Sequence, residues 1–341
     1  MKNNGFSDWY EQNSVRYDSF CKEMDKLLCS VISNEKIHYH SITHRLKEKK
    51  SFLEKCDKKQ YDDPSKQLMD FAGVRVIAYT TADVVKICDI IEREFQIDKP
   101  NSGNKADLLE NDKVGYLSIH YVISLSSKRI TLPEYAAYKG MCCEIQVRTL
   151  LQHAWAEIEH DRGYKFSGVL PKEIDRRFRL IAGVLEVVDS EFQRLSDDID
   201  AHSQEVKKAT QQGNYDIPID SASLAQYVNG KLGDHAGNVE ATFRNRDEQI
   251  IQELNDYGVN KLFDLEPLFA DSRIKAINWS EHEKLNYLSF LRSVMIIANT
   301  KKYFGNAWNG HWTRVNKYIT DFWARNGADL TLLPSEIKIL N

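Results

Sequence analysis

Two acidic residues stand out by position: Asp70 heads the run DFAGVRVIAYT, and Glu144 sits inside CCEIQVRT. Both runs read as strands. If they are neighbours, the two carboxylates reach a common point above the sheet. Hard carboxylate oxygens are what one or two Mg²⁺ ions require, with water and phosphate oxygens filling the other positions. Between these runs lies GYLSIHYVISL, where Tyr116, Ser118 and His120 share one face and Leu117, Ile119 and Tyr121 the other. Glu144, Gln146 and Arg148 alternate with Ile145 and Val147 in the same way. Arg75 follows Gly73 by two residues in an otherwise apolar strand. A charge there must be paired or meet a ligand, because burying it alone is costly. Together these residues suit magnesium-dependent chemistry on a nucleotide polyphosphate. Tyr116 would stack a base, His120 would meet a phosphate or ribose, and Glu144 would accept the proton of an attacking hydroxyl. Solvated strand faces and a structural ion pair for Arg75 are the alternative reading.

The segment after Glu144 adds Gln152, His153, Glu157, Glu159 and His160, then Tyr164 and Lys165. His153 and Glu157 are four apart and share a helix side. Glu159 and His160 read as orienters of arginine or tyrosine side chains. The pair His160-Asp161 also raises a metal-dependent phosphohydrolase, but no second set of His and Asp ligands occurs at helical spacing, so that reading is rejected. Upstream, eight Lys/Arg residues face three acids between Lys36 and Lys59, among them Arg45, Lys47 and Lys55.

These residues need a scaffold, and the chain supplies one of ordinary composition. Its 341 residues exceed a usual single domain, and 42% hydrophobic with 28% charged residues is typical of a globular protein. A net charge of -4 argues against a strongly basic nucleic-acid coat while leaving room for the local basic patch. The six cysteines include no CxxC pair, and the adjacent Cys142 and Cys143 should point to opposite strand faces. No signal-like start and no run of 18 apolar residues occurs, which leads us to expect a cytoplasmic protein with no membrane partner.

Apolar periodicity predicts a helix over 7–33, a strand over 72–79, and a helix over 81–95. The polar stretch 98–114 reads as a mobile loop. Strands follow over 116–125 and 142–147, then helices over 149–160 and from Pro171 onward. The very polar stretch SDDIDAHSQEVKKATQQGNYD is expected to be a frayed helical extension or a hinge. Helices over 222–232, 239–256, 259–269, 280–303 and 309–325 fill the remainder. The fold class is α+β, a mixed sheet flanked by helices with a mainly helical C-terminal domain. We place the domains at 1–212 and 213–341. Four tryptophans, Trp279, Trp308, Trp312 and Trp323, could form a partner surface or a helical core.

The strings D70-F-A-G-V-R75, G115-Y-L-S-I-H120, E144-I-Q-V-R-T149 and W155-A-E-I-E-H160, with Y164-K165 after them and H44-R-L-K47 and S51-F-L-E-K55 before, occur in a telling order. Over about residues 38–195 the chain resembles the synthetase domain of the RelA/SpoT pyrophosphokinases. The resemblance implies a fold related to nucleotidyltransferases and transfer of the β,γ-pyrophosphate of ATP to the 3′-hydroxyl of a guanosine nucleotide, using Mg²⁺. It implies Asp70 as metal ligand and Glu144 as second metal ligand or base. Arg45 and Arg75 would sandwich adenine, and Lys47 and Lys55 would bind phosphate. Tyr116, Ser118, His120 and Gln146 would form the acceptor site, with Arg148, Glu159, His160 and Lys165 in support.

Departures fall at Glu48-Lys49-Lys50, where Ser-Pro is common in the family, and at Val114 and Leu117. They leave the acceptor open. GTP or GDP comes first, with an adenosine nucleotide or the tRNA 3′ CCA end as alternatives. The extra lysines 49, 50, 58 and 59 would suit an RNA stem. The large C-terminal part resembles the arrangement of fused toxin-antitoxin synthetases that act in phage defence, where that part restrains the enzyme until a phage or host protein binds. An inactive guanine-nucleotide sensor is the non-enzyme alternative.

Overall fold

The computed structural model describes residues 2–104, 118–165, 171–232, 237–240, 247–280 and 283–340. The chain divides into two compact units, Met1–Asp197 and Asp198–Asn341. Among the described residues the first unit runs α1 (Lys2–Asn34), β1 (Tyr39–Leu46), α2 (Lys49–Lys59), α3 (Pro64–Gln67), β2 (Ala72–Ala78), α4 (Thr81–Glu94), β3 (Phe95–Ile97), β4 (Gly103–Asn104), β5 (Ile119–Leu125), β6 (Cys143–Thr149), α5 (Leu150–Lys165) and the first part of α6 (Lys172–Gln211), a helix that continues past Asp197. The strands form one mixed sheet in the order β1-β2-β6-β5-β3, with β4 on β5. β2 and β6 run parallel, and the other pairs are antiparallel.

Strand alternation sends Val74, Val76, Ile145, Val147, Tyr121 and Ile123 to one face, where they join Phe20, Met24 and Leu28 of α1 and Ile87 and Ile91 of α4 in a single core. α4 begins where its sequence dictates: the Thr80 hydroxyl accepts a hydrogen bond from the Asp83 N–H. The opposite face carries Gly73, Arg75, Glu144 and Gln146. Cys143 is fully buried and Cys142 partly so, as opposite faces require.

β1 is the element that sequence periodicity did not reveal. It is an edge strand with no buried residue, so it lacks the apolar signature of β2. Of the two forms expected for the polar stretch, α6 takes the helical one, running unbroken to Gln211. That stretch holds helix formers and no Gly or Pro before Gly213, whose φ of +76° is the left-handed conformation that stops a helix. The Asn214 N–H then closes back on the Ala209 carbonyl. Of the expected loop over 98–114, residues 105–114 lie outside the described residues, as do 116–117 of the expected strand.

In the second unit the central helix is Tyr287–Ala298, starting later than expected because Leu285–Asn286 pairs as a short strand with Val239–Glu240. Asn286 caps it through the Ser289 N–H. Arg314–Asn316 likewise pairs with Lys338–Leu340, which moves the start of the last long helix to Lys317. Trp323 is buried, and Trp279, Trp308 and Trp312 pack against the core. The tryptophans therefore build a helical core. Within it Glu253, 1% exposed, receives a forked pair from Arg292 and the Tyr303 hydroxyl at 2.7 Å.

Candidate active site

Strand register assembles the site. Arg45 on β1 lies opposite Gly73 on β2, which lies opposite Glu144 on β6. One step along, Thr43, Arg75, Gln146 and His120 form the next row across β1, β2, β6 and β5. Arg148 follows beside Ile77. Residues scattered over a hundred positions thus share one face because strands alternate and these four are neighbours. A cleft of about 180 Å³ opens over them, lined among others by Arg45, Asp70, Gly73, Arg75, Glu144 and Gln146.

Asp70 sits just before β2, where the end of β1 and helix α2 meet. Lys47 Nζ and Lys55 Nζ both donate to its Oδ2, at 2.8 and 2.7 Å. α2 points Lys55 inward because Phe52 and Cys56 on the same helix are buried in the core. Burial alone would raise the Asp70 pKa, but hydrogen bonds and charge from the two lysines outweigh it and hold the carboxyl below its ordinary value. Asp70 Oδ1 is buried with no hydrogen-bond partner.

Glu144 is fixed at both oxygens. The His120 Nδ1–H donates to Oε1 at 2.9 Å, and Gln146 Nε2 donates to Oε2 at 2.8 Å. Ser118 Oγ lies 2.6 Å from His120 Nε2, and Arg148 Nη2 donates to Gln146 Oε1 at 3.1 Å. A chain of polar contacts therefore runs Ser118-His120-Glu144-Gln146-Arg148 along the site face. Burial pushes the Glu144 pKa up, yet His120 and Gln146 bring it below the ordinary carboxylate value. Negative charge on Asp70 acts on Glu144 in the opposite sense, so the two acids feel each other.

Three arginines crowd the other end. Arg148, 5% exposed, is lowered to about 10 by burial and by the positive charges of Arg75 and Arg45. Arg75 is lowered by burial and by Arg45, partly offset by Glu157, whose carboxylate it meets at 2.9 Å. Arg75 Nε and Arg148 Nε are buried without hydrogen-bond partners. Crowded guanidiniums with spare donors form a receptor for a polyanion or a planar base.

Sequence reading brought Arg45, Lys47, Lys55, Asp70, Arg75, Ser118, His120, Glu144, Gln146 and Arg148 to this face, and the structure gathers them there. Tyr116 lies outside the described residues, and so do the side chains of Tyr164 and Lys165. Glu159 and His160 are exposed on α5. The carboxylate of α5 that reaches a sheet arginine is Glu157, which also lies 3.7 Å from His153 Nδ1. Its partner is 82 residues away in sequence, so no local pattern could have signalled the pair. An added Cβ at Gly73 would meet Arg45 and backbone at 3.7 Å or more. Ordinary contact of that kind means the glycine keeps the cleft floor open without being forced by crowding.

The donor set suits a hard divalent cation. Both acids line one cleft, and Asp70 keeps a buried oxygen without a partner. Mg²⁺ takes one or two protein carboxylates and leaves its other positions to water and phosphate. No group of three or more His, Cys, Asp or Glu side chains able to hold a metal occurs among the described residues. Two acids plus phosphate oxygens is the arrangement that fits.

Such a fold and site define a class: a mixed-sheet protein whose polar face pairs two carboxylates with a cationic pocket. Residues 44–169 match the family model described as the region found in RelA/SpoT proteins. GTP pyrophosphokinase YjbM of Bacillus subtilis (strain 168) is 25% identical over 178 residues, 50% of this chain and 80% of that protein. GTP pyrophosphokinase YwaC of the same organism is 26% identical over 206 residues, 57% of this chain and 92% of that protein. Among solved structures, small alarmone synthetase 1 from Bacillus subtilis aligns with a TM-score of 0.48 at 23% identity, over 57% of this chain and 99% of that one. The matched RelA/SpoT region lies within the first unit. Among the described residues no helix is long and apolar enough to cross a membrane.

Proposed function

We propose that the first unit is an ATP-dependent pyrophosphokinase that transfers the β,γ-pyrophosphate of ATP to the 3′-hydroxyl of GTP or GDP, as the names of its two Bacillus relatives suggest. The observation that carries this reading is the shared cleft of Asp70 and Glu144 beside the arginine cluster. Arg45 and Arg75 flank the adenine, while Lys47 and Lys55 sit where phosphate charge arrives. The acceptor oxygen attacks the β-phosphorus, the α,β-anhydride bond breaks, AMP leaves, and the hydroxyl proton passes to Glu144. His120 and Gln146 hold that carboxylate in place and ionised. Asp70 and Glu144 would hold Mg²⁺, which offsets the negative charge that builds on the transferred group.

For the acceptor we put a free guanosine nucleotide first, as the relatives' names suggest. The test is incubation with γ-labelled ATP and, separately, GTP, GDP or deacylated tRNA. Label in the guanosine nucleotides supports the proposal. Label in tRNA alone moves the acceptor to RNA. ATP and GTP binding without transfer replaces the enzyme by a sensor.

A further inference from the structure

The end of the cleft away from Asp70 carries a carboxylate to which the proposed transfer gives no task. Along β2 the site face passes from Gly73 to Arg75, and the next residue of that face, Ile77, is buried. α5 starts directly after Thr149, at the end of β6. Because β6 runs parallel to β2, α5 leaves the sheet at the end opposite Asp70. From that helix Glu157 reaches Arg75 Nη1 at 2.9 Å.

Glu157 has acceptor capacity to spare. Its side chain is 53% exposed, and Arg75 meets it at Oε1. The other nitrogen beside it, His153 Nδ1, stands 3.7 Å from the same oxygen, beyond hydrogen-bond reach. A carboxylate offers about four acceptor positions and no donor. Arg75 therefore holds an acceptor-only group at the edge of its own guanidinium, whose plane would lie against the donor base.

The 6-position of a purine lies at the far end of the ring system from the ribose and triphosphate. With phosphates at Lys47, Lys55 and Asp70 and the base at Arg45 and Arg75, the 6-position points along β2 toward α5. An adenine presents N–H donors there, which a carboxylate accepts. A 6-oxopurine presents lone pairs, which it repels. Stacking on guanidinium planes is far less selective, since every base has a π-face.

We propose that Glu157 reads the 6-amino group of the donor base and so selects an adenine over a 6-oxopurine triphosphate. The assignment rests on the donor placement proposed above. It gives an enzyme that takes a guanine acceptor a means of keeping that acceptor out of the donor subsite.

Calorimetric titration of the full chain, without acceptor, compares ATP with purine riboside 5′-triphosphate, which lacks only the 6-amino group. The intact protein should bind ATP about tenfold tighter or more, as a hydrogen bond to a charged group implies. Glu157→Ala should bring the two within about twofold of each other while circular dichroism stays unchanged. Glu157→Gln keeps a neutral acceptor and should retain a smaller preference, about two- to fivefold. Inosine triphosphate, with a 6-oxo group, should displace bound ATP less well than purine riboside triphosphate does, and equally well in Glu157→Ala. A Glu157 that only braces Arg75 would weaken both nucleotides alike in Glu157→Ala and leave their ratio unchanged. That result, or an intact protein indifferent to the 6-amino group, would overturn the proposal. If the binding ratios hold while no label passes from ATP to a guanosine nucleotide, the transfer reading fails and the role of Glu157 stands. Transfer with a flat binding ratio is the reverse case, and a chain that binds no ATP overturns both.

Discussion

Asp70→Asn separates catalysis from folding in the cleft. Lys47 and Lys55 both donate to one oxygen of Asp70, at 2.8 and 2.7 Å, and the three side chains are 16%, 33% and 19% exposed. Hydrogen bonds to a charged group contribute about 1.5–3 kcal/mol each. The amide keeps a neutral acceptor and costs less to bury, so we expect a net loss of about 2 kcal/mol. For a unit of this size that is a Tm about 4–8 °C lower. The pH dependence follows from the direction of the shift. The folded Asp70 pKa lies below its unfolded value, because the lysines outweigh burial. The carboxylate's contribution is thus fully present above about pH 4 and fades as pH falls through the lower folded value. Melting curves by circular dichroism at neutral and acidic pH, run beside the label-transfer assay, read both effects. A neutral-pH gap that closes in acid is expected, together with loss of transfer. Equal melting temperatures at neutral pH, a gap that persists unchanged in strong acid, or undiminished transfer would refute the reasoning.

Other substitutions probe the rest of the network. Glu144→Gln should lower kcat by about 10²–10⁴ with nucleotide binding retained, as measured by steady-state kinetics and equilibrium binding. Glu157→Gln removes a pair whose acid is half exposed, worth at most about 1 kcal/mol. We expect less than about a fivefold rise in KM for ATP, whereas Arg75→Ala should raise it more than about tenfold. ATP affinity should fall as salt is raised from about 0.05 to 0.5 M, since the arginine cluster attracts a polyanion partly through screened charge; calorimetric titration reads this. In the second unit Glu253→Gln strands the largely buried Arg292 and should cost about 3–5 kcal/mol, seen as an earlier unfolding transition.

The sheet was legible where burial imposes a strict pattern. β2 and β6 alternate an apolar core face with a polar site face, so Arg75, Glu144, Gln146 and Arg148 could be assigned to one side before any coordinates. β1 hid because an edge strand buries little, although it carries Arg45 and leads to Lys47. The Glu157–Arg75 pair depends on how α5 packs over the sheet, and no spacing encodes that. In the polar half of α6 the absence of breakers outweighed the absence of anything to bury. The second unit's short strands of two or three residues are too brief to leave a periodic trace, so its helix starts were misplaced while its apolar centre, Phe290 to Ile297, was found.

On the proposed reading, the carboxylates of Asp70 and Glu144 serve one divalent cation at the triphosphate of ATP. Crystals grown with Mn²⁺ and a non-hydrolysable ATP analogue, with anomalous scattering recorded at the manganese edge, examine it directly. An anomalous peak touching oxygens of both residues and of the analogue is expected. A metal held by phosphate alone, or a triphosphate bound away from this cleft, would contradict it.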